Sequence, residues 1–123
     1  MEKSGGGEII NIGSIAGLRG IGSSIPYGAS KAAVHTLTVS LARVFGPNIR
    51  INAVAPGFIA GEWLERGLGD VYEKALETNA ESAILGKVSK PEDIAAAAVS
   101  LITGTDLITG QLLVCDGGAL LAG

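Results

Sequence analysis

Residues 25–47 read IPYGASKAAVHTLTVSLARVFGP. Val34, Leu37, Leu41, Val44 and Phe45 recur at helical spacing, which predicts a helix over residues 27–45 with one apolar stripe. A second face carries Ala29, Ala32, Thr36, Ser40 and Arg43, mostly small residues that suit close packing. Gly46-Pro47 stops the helix. Just upstream, GEIINIGS (7–14) is apolar, rich in isoleucine and bounded by glycines, as a short buried strand is. Just downstream, NIRINAVAPG (48–57) is apolar on both faces apart from Arg50 and Asn52, and Pro56-Gly57 ends it. Strand, helix and strand in that order form the unit from which parallel sheets are built.

Further out the pattern continues. SKPEDIAAAAVSLIT (89–103) predicts a helix opened by a Ser89/Glu92 capping box, with Pro91 in its first turn. Ile94, Ala98, Leu101 and Ile102 form its apolar face, and QLLVCDGG (111–118) predicts a third buried strand. Residues 58–85 are polar and helix-prone, broken by glycines at 61, 67 and 69. They suit either a flap over a substrate or an ordinary pair of surface helices. The fold class is therefore α/β, a parallel sheet with helices on its faces.

Composition narrows the function. The chain has 123 residues, enough for one domain and one core. Aromatics are few (4%), so Ala, Val, Ile and Leu must fill that core. A net charge of −3 with scattered Lys and Arg argues against a nucleic-acid surface. No apolar run approaches the ~20 residues that span a bilayer. Cys115 is the only cysteine and lies in an apolar run, so it reads as a buried structural thiol. With no basic-then-apolar opening segment, the expected location is cytoplasmic. One His and one Cys do not make a metal site. His35 lies two turns past Tyr27, well inside the helix, and reads as a packing or interface residue.

The chemistry concentrates at the start of that helix. Tyr27 and Lys31 are four residues apart, on one face. A free tyrosine is a poor base at neutral pH. A lysine one turn away and the positive end of a helix both favour the phenolate, so such a tyrosine can exchange a proton with a carbonyl or alcohol oxygen. Ser14 ends the first strand, where parallel sheets place their reacting groups, and its hydroxyl suits the same oxygen.

GGGEIINIGS, the thirteen-residue step from Ser14 to Tyr27, YGASKAAV, IRINAVAPGFI, KPEDIAAAAVSLIT and LITGQLLVCDGG occur in this order over nearly the whole chain. Together they resemble the short-chain dehydrogenase/reductase family. The resemblance implies the C-terminal half of a doubly wound parallel-sheet Rossmann fold, with the N-terminal cofactor half absent. It implies an NAD- or NADP-dependent oxidoreductase acting on a small carbonyl or alcohol. Tyr27 would be the proton donor or acceptor. Lys31 would favour the phenolate and hold the nicotinamide ribose, and Ser14 would orient the substrate oxygen. Tyr27, Lys31, Pro56, Gly57 and Ile59 would contact the cofactor, with the Ile59 backbone on the carboxamide. Gly61 stands where the family usually has threonine, which removes one hydroxyl contact.

The family's glycine-rich phosphate loop has no counterpart here. Gly17, Gly20 and Gly22 follow a strand, but their spacing is G-x-x-G-x-G, and no helix opens at once behind them. They read as a flexible loop on the substrate side. Half of a doubly wound sheet leaves an unpaired strand edge and helix faces without partners. The chain is therefore expected to be a homo-oligomer, a dimer or tetramer, or to be tied to a partner. Two functions remain open: the catalytic half of a reductase, or a truncated, non-catalytic family member that oligomerises or binds a partner.

Overall fold

The computed structural model describes residues 1–122. A 3-10 turn at Glu2–Ser4 leads into β1 (Gly7–Ile12), followed by α1 (Ala16–Arg19), α2 (Ile25–Phe45) and β2 (Ile49–Pro56). Then come α3 (Glu62–Leu68), a 3-10 turn at Gly69–Val71, α4 (Tyr72–Ser82), α5 (Pro91–Thr103) and β3 (Leu112–Cys115). The sheet has three strands in the order β1-β2-β3, and both pairings are parallel. The register sets Ile12 against Val54 and Pro56 against Cys115, so the carboxyl ends of all three strands share one edge.

Only β2 has neighbours on both sides, and it is buried at every position. The outer strands are not the buried strands their apolar sequences predict. Ile12 is 47% exposed and Leu113 is 38% exposed, because each strand has one open side. The core splits across the sheet. Ala42, Ile49 and Ile51 pack with Ile9, Leu41 and Phe45 under α2, and Val54, Ile94 and Leu101 pack with Ile10, Ala97 and Ala98 under α5. Ala, Val, Ile and Leu do fill the core.

β2 also carries Arg50 and Asn52 into the interior, and both are hydrogen-bonded there. Arg50 donates to the carbonyls of Leu101, Ile102 and Ile108 and pairs with Glu8 at 3.2 Å. It thereby closes the carboxyl end of α5 with a cation, where the last carbonyls have no intrahelical donor. Asn52 donates to Ile108 O and accepts from Gln111 N, which ties the turn before β3 to the middle of the sheet.

Several expectations are corrected. α2 starts two residues earlier than its periodicity predicts, at Ile25, because Ser24 Oγ accepts from Tyr27 N and Pro26 sits in the first turn. Its apolar stripe splits. Leu37 and Val44 face outward at 53% and 69% exposure, and the buried residues are His35, Thr38 and Ala42. These shorter side chains let α2 approach the sheet. The cap of α5 is shifted by one residue: Asp93 accepts from Lys90 N at 2.8 Å, and the Ser89 hydroxyl turns to Cys115 O. Ile102 is 44% exposed, with Ala97 taking its place on the apolar face. Cys115 is half-buried, and burial, then Asp93 and Asp116, push its thiol pKa up, so it stays protonated. No helix among the described residues is long and apolar enough to cross a membrane.

Candidate active site

The site residues lie along the carboxyl edge of the sheet. β1 ends at Ile12, and the chain continues through Gly13 and Ser14 into the single turn of α1. Gly13 N donates to Val54 O and Ile15 N to Pro56 O, so this exit is stitched to β2 beyond the last paired residue. Ser14 is buried. Its Oγ accepts from Ala16 N at 3.1 Å, which leaves the hydroxyl hydrogen free to donate elsewhere. Its own N–H donates to His35 Nε2 at 3.2 Å.

Tyr27 is the third residue of α2, inside the first turn as its sequence position predicts, and it is 39% exposed. Lys31 follows one turn later. Its Nζ lies 5.8 Å from the centre of the Tyr27 ring and donates to Ile12 O at 3.1 Å. That bond draws the ammonium to the end of β1, two residues before Ser14, and leaves two of its three N–H groups for other partners. A Cβ added at Gly22 would meet Ala16 Cβ and the Tyr27 ring, so the loop between α1 and α2 lies directly against the tyrosine. Ser14, Tyr27 and Lys31 are thus brought to one edge by three independent devices: the β1 exit, the Ser24 cap and the Lys31–Ile12 bond.

Pro56 is the last residue of β2, and Gly57 packs so closely on Asp116 that a Cβ there would press on the Asp116 side chain at 2.8 Å. Ile59 forms an isolated parallel bridge with Ser89. Phe58 O accepts from Ser89 N and Ala60 N donates to Ser89 O. Flanked in this way, the N–H and C=O of Ile59 point to the opposite side.

The glycine loop is not wholly irregular, because residues 16–19 form α1. The amides of Gly17, Leu18, Arg19 and Gly20 all donate to carbonyls of residues 14–16, so they are not available to an anion. Residues 58–85 resolve into α3, a 3-10 turn and α4, bounded by Gly61 and Ala83. Tyr72 is buried beneath them and its hydroxyl accepts from Gly61 N at 3.1 Å, while Trp63 is 84% exposed. Among the described residues no group of three or more His, Cys, Asp or Glu is placed to hold a metal ion.

His35 is more than helix packing. It is buried against the Ser14 backbone, and Gly13 and Gly17 leave room for its ring: a Cβ at either would run into it. Burial, and then the Lys31 ammonium, hold its pKa below the usual histidine range, so the ring is neutral. Its place on the face of α2 that carries Tyr27 and Lys31 was readable from the four-residue spacing, but its bond to the Ser14 backbone was not.

These features define a class: a parallel α/β domain that brings a buried serine, a tyrosine and a lysine to the carboxyl edge of its sheet. A family model described as Enoyl-(Acyl carrier protein) reductase matches residues 1–119. The short-chain dehydrogenase/reductase homolog YusR of Bacillus subtilis is 43% identical over 121 residues, across 98% of this chain and 89% of its own. The 3-oxoacyl-(acyl-carrier-protein) reductase FabG of Thermotoga maritima is 38% identical over 123 residues, covering 98% of this chain and 48% of its own. A solved small-chain dehydrogenase in complex with NADPH superposes with a TM-score of 0.85 at 29% identity, over 94% of this chain and 52% of its own. The chain belongs to the short-chain dehydrogenase/reductase family. It spans most of the Bacillus protein but about half the length of the Thermotoga protein and of the NADPH-bound structure.

Proposed function

We propose that this chain is the catalytic part of an NAD- or NADP-dependent oxidoreductase that interconverts a small uncharged carbonyl and its alcohol. The observation that carries this reading is the Lys31–Ile12 bond, which seats an ammonium beside both Tyr27 and the exit of β1 that leads to Ser14.

The residues present fit a nicotinamide nucleotide. Lys31 has two N–H groups left for the hydroxyls of a ribose. The N–H and C=O of Ile59, turned away from Ser89, are complementary to a carboxamide, and Pro56 and Gly57 form the floor beside them. The NADPH-bound relative adds to this. The amides of residues 17–20 are engaged within α1, so the pyrophosphate is held outside these residues. When bound, the nicotinamide supplies a hydride to the carbonyl carbon or accepts one from the alcohol. Tyr27 Oη gives the matching proton to the oxygen in reduction and takes it back in oxidation. Lys31 stabilises the phenolate that is left. Ser14, its lone pair engaged by Ala16 N–H, donates its hydroxyl hydrogen to the same oxygen and holds it in line. Residues 58–85 would close over the substrate as a flap.

The test is titration with NADH and NADPH followed by nicotinamide fluorescence, then turnover on a panel of small ketones and aldehydes. Tyr27→Phe is expected to lower kcat by about 10²–10⁴-fold while saturable nucleotide binding persists through Lys31 and the Ile59 backbone. Turnover that survives Tyr27→Phe would overturn the assignment. A second reading is a non-catalytic chain that oligomerises or binds a partner. The outward Leu37 and Val44 of α2 and the open side of β1 favour it, and it predicts no saturable nucleotide binding.

A further inference from the structure

We propose that His35 is a positioning residue: its neutral imidazole accepts the Ser14 N–H through Nε2 and so fixes the direction in which the Ser14 hydroxyl points. The inference rests on the role proposed for Ser14 but concerns a different group on a different element. Ser14 has two tethers. Ala16 N–H holds Oγ from within its own turn, and His35 Nε2 holds the backbone from across the site, 21 residues away in sequence. The first bond sets only the side chain. The second fixes the peptide plane from which the side chain springs, and ties it to the helix that carries Tyr27 and Lys31. A shift of α2 would therefore carry tyrosine, lysine and serine together.

The surroundings are shaped for this ring. Gly13 and Gly17, on either side of Ser14, leave no room for a Cβ against His35, and a Cβ at Gly17 would also lie 2.7 Å from Ala32 N. An acceptor at Nε2 requires the neutral tautomer with its proton on Nδ1. That nitrogen is buried and finds no partner among the described residues. Burying a donor without a partner costs about 1–3 kcal/mol, so packing alone would favour an apolar side chain here; the bond to Ser14 N–H is what an imidazole adds. Protonation would place a second N–H at Nε2, facing the Ser14 N–H, donor against donor. Lys31 is the charged group of α2 that faces the ring, and it opposes that protonation. Residues 13–18, packed against the ring, carry no charge, and Arg50 of β2 is turned to the carbonyls at the end of α5.

His35 is the only histidine, so the whole chain labelled with ¹⁵N gives one imidazole signal. Long-range ¹H–¹⁵N correlation above the ring's titration should show Nδ1 protonated and Nε2 bare. The opposite tautomer, or a mixture of the two, would overturn the proposal. The Ser14 amide should be protected from hydrogen exchange. His35→Leu keeps the bulk and removes the acceptor, and is expected to speed that exchange roughly five- to tenfold and to average the Ser14 χ1 couplings. His35→Gln, whose Oε1 can stand near Nε2, should restore both. A single Ser14 rotamer retained in a folded His35→Leu variant would show that the ring only packs, and would overturn the proposal. If His35→Leu does not fold, the wild-type tautomer and the His35→Gln couplings still decide it. Absence of turnover would sink the oxidoreductase reading and leave the tautomer untouched, whereas the wrong tautomer would sink this inference and leave turnover intact.

Discussion

Gly13 and His35 make a fitted pair, and their coupling can be measured. A methyl at position 13 would occupy the place of the imidazole edge. Gly13→Ala is expected to destabilise by about 1–3 kcal/mol through overpacking. The same substitution on a His35→Ala background should cost much less, because the ring it meets is gone. Urea unfolding of the four species gives the coupling directly; additive effects would mean that the two residues do not touch. The pH dependence has a definite sign. In the unfolded chain the ring titrates near about 6.5, and in the folded chain its pKa is lower. The unfolded state therefore binds more protons between the two values. His35's contribution is fully present above about 6.5 and is lost as pH falls through the folded value. Wild type should lose more stability than His35→Gln between neutral and mildly acidic buffer, and parallel losses would contradict this. Single residues were the part of the site most readable from sequence where their spacing carried the information. Tyr27 and Lys31 share a helical face whatever surrounds them. The tether between His35 and Ser14 was hidden, because an imidazole pointing at a backbone N–H leaves no pattern in composition or period.

At the scale of elements, the periodicity gave correct types and approximate ends, and erred where tertiary contacts set the answer. α2 lies over the sheet on His35, Thr38 and Ala42, because small and medium side chains allow close approach there, so the larger Leu37 and Val44 face out. The strands flanking β2 read as buried because their residues are apolar, but burial depends on neighbours, and each has one open side. Arg50 is the element-scale interaction that a sequence reading passes over: it looks like a stray charge in an apolar strand. It joins β1, β2, the end of α5 and the turn before β3 through one guanidinium. Replacing it with leucine would leave the carbonyls of Leu101 and Ile102 without this donor, and that of Ile108 with Asn52 alone. Arg50→Leu is expected to lower stability by about 3 kcal/mol. Arg50→Lys should recover only part of this, since one ammonium cannot span acceptors on three segments. Thermal and urea unfolding check both. A leucine variant as stable as wild type would mean that well-packed apolar contacts replace the network, as happens at some buried ion pairs.

At the scale of the molecule, the arrangement of exposed apolar residues bears on the proposed self-association. Leu37 and Val44 are two turns apart on the outer face of α2, with Ala33 and Ser40 between and beside them. This narrow stripe has small residues at its centre, the pattern that lets two helices approach closely. On the opposite margin of the sheet, Leu113 and Val114 of β3 are also partly exposed. A monomer would present both surfaces to water, and contiguous apolar patches on soluble monomers are uncommon. The open side of β1 adds unpaired backbone groups that invite a further strand. If α2 supplies the contact, Leu37→Glu with Val44→Glu would bury four carboxylates in a symmetric pair and dissociate it, since a residue on a two-fold interface appears twice. If β3 supplies it, Val114→Glu would have that effect and the α2 pair would not. The α2 face is the stronger candidate, because Leu37 and Val44 are each more exposed than Leu113 or Val114. Sedimentation velocity should therefore show the wild-type chain as a dimer or larger and the α2 double variant as a smaller species with an unchanged circular dichroism spectrum. A wild-type chain that sediments as a monomer across the micromolar range would remove the self-association proposal, and the exposed stripe would then need a different partner.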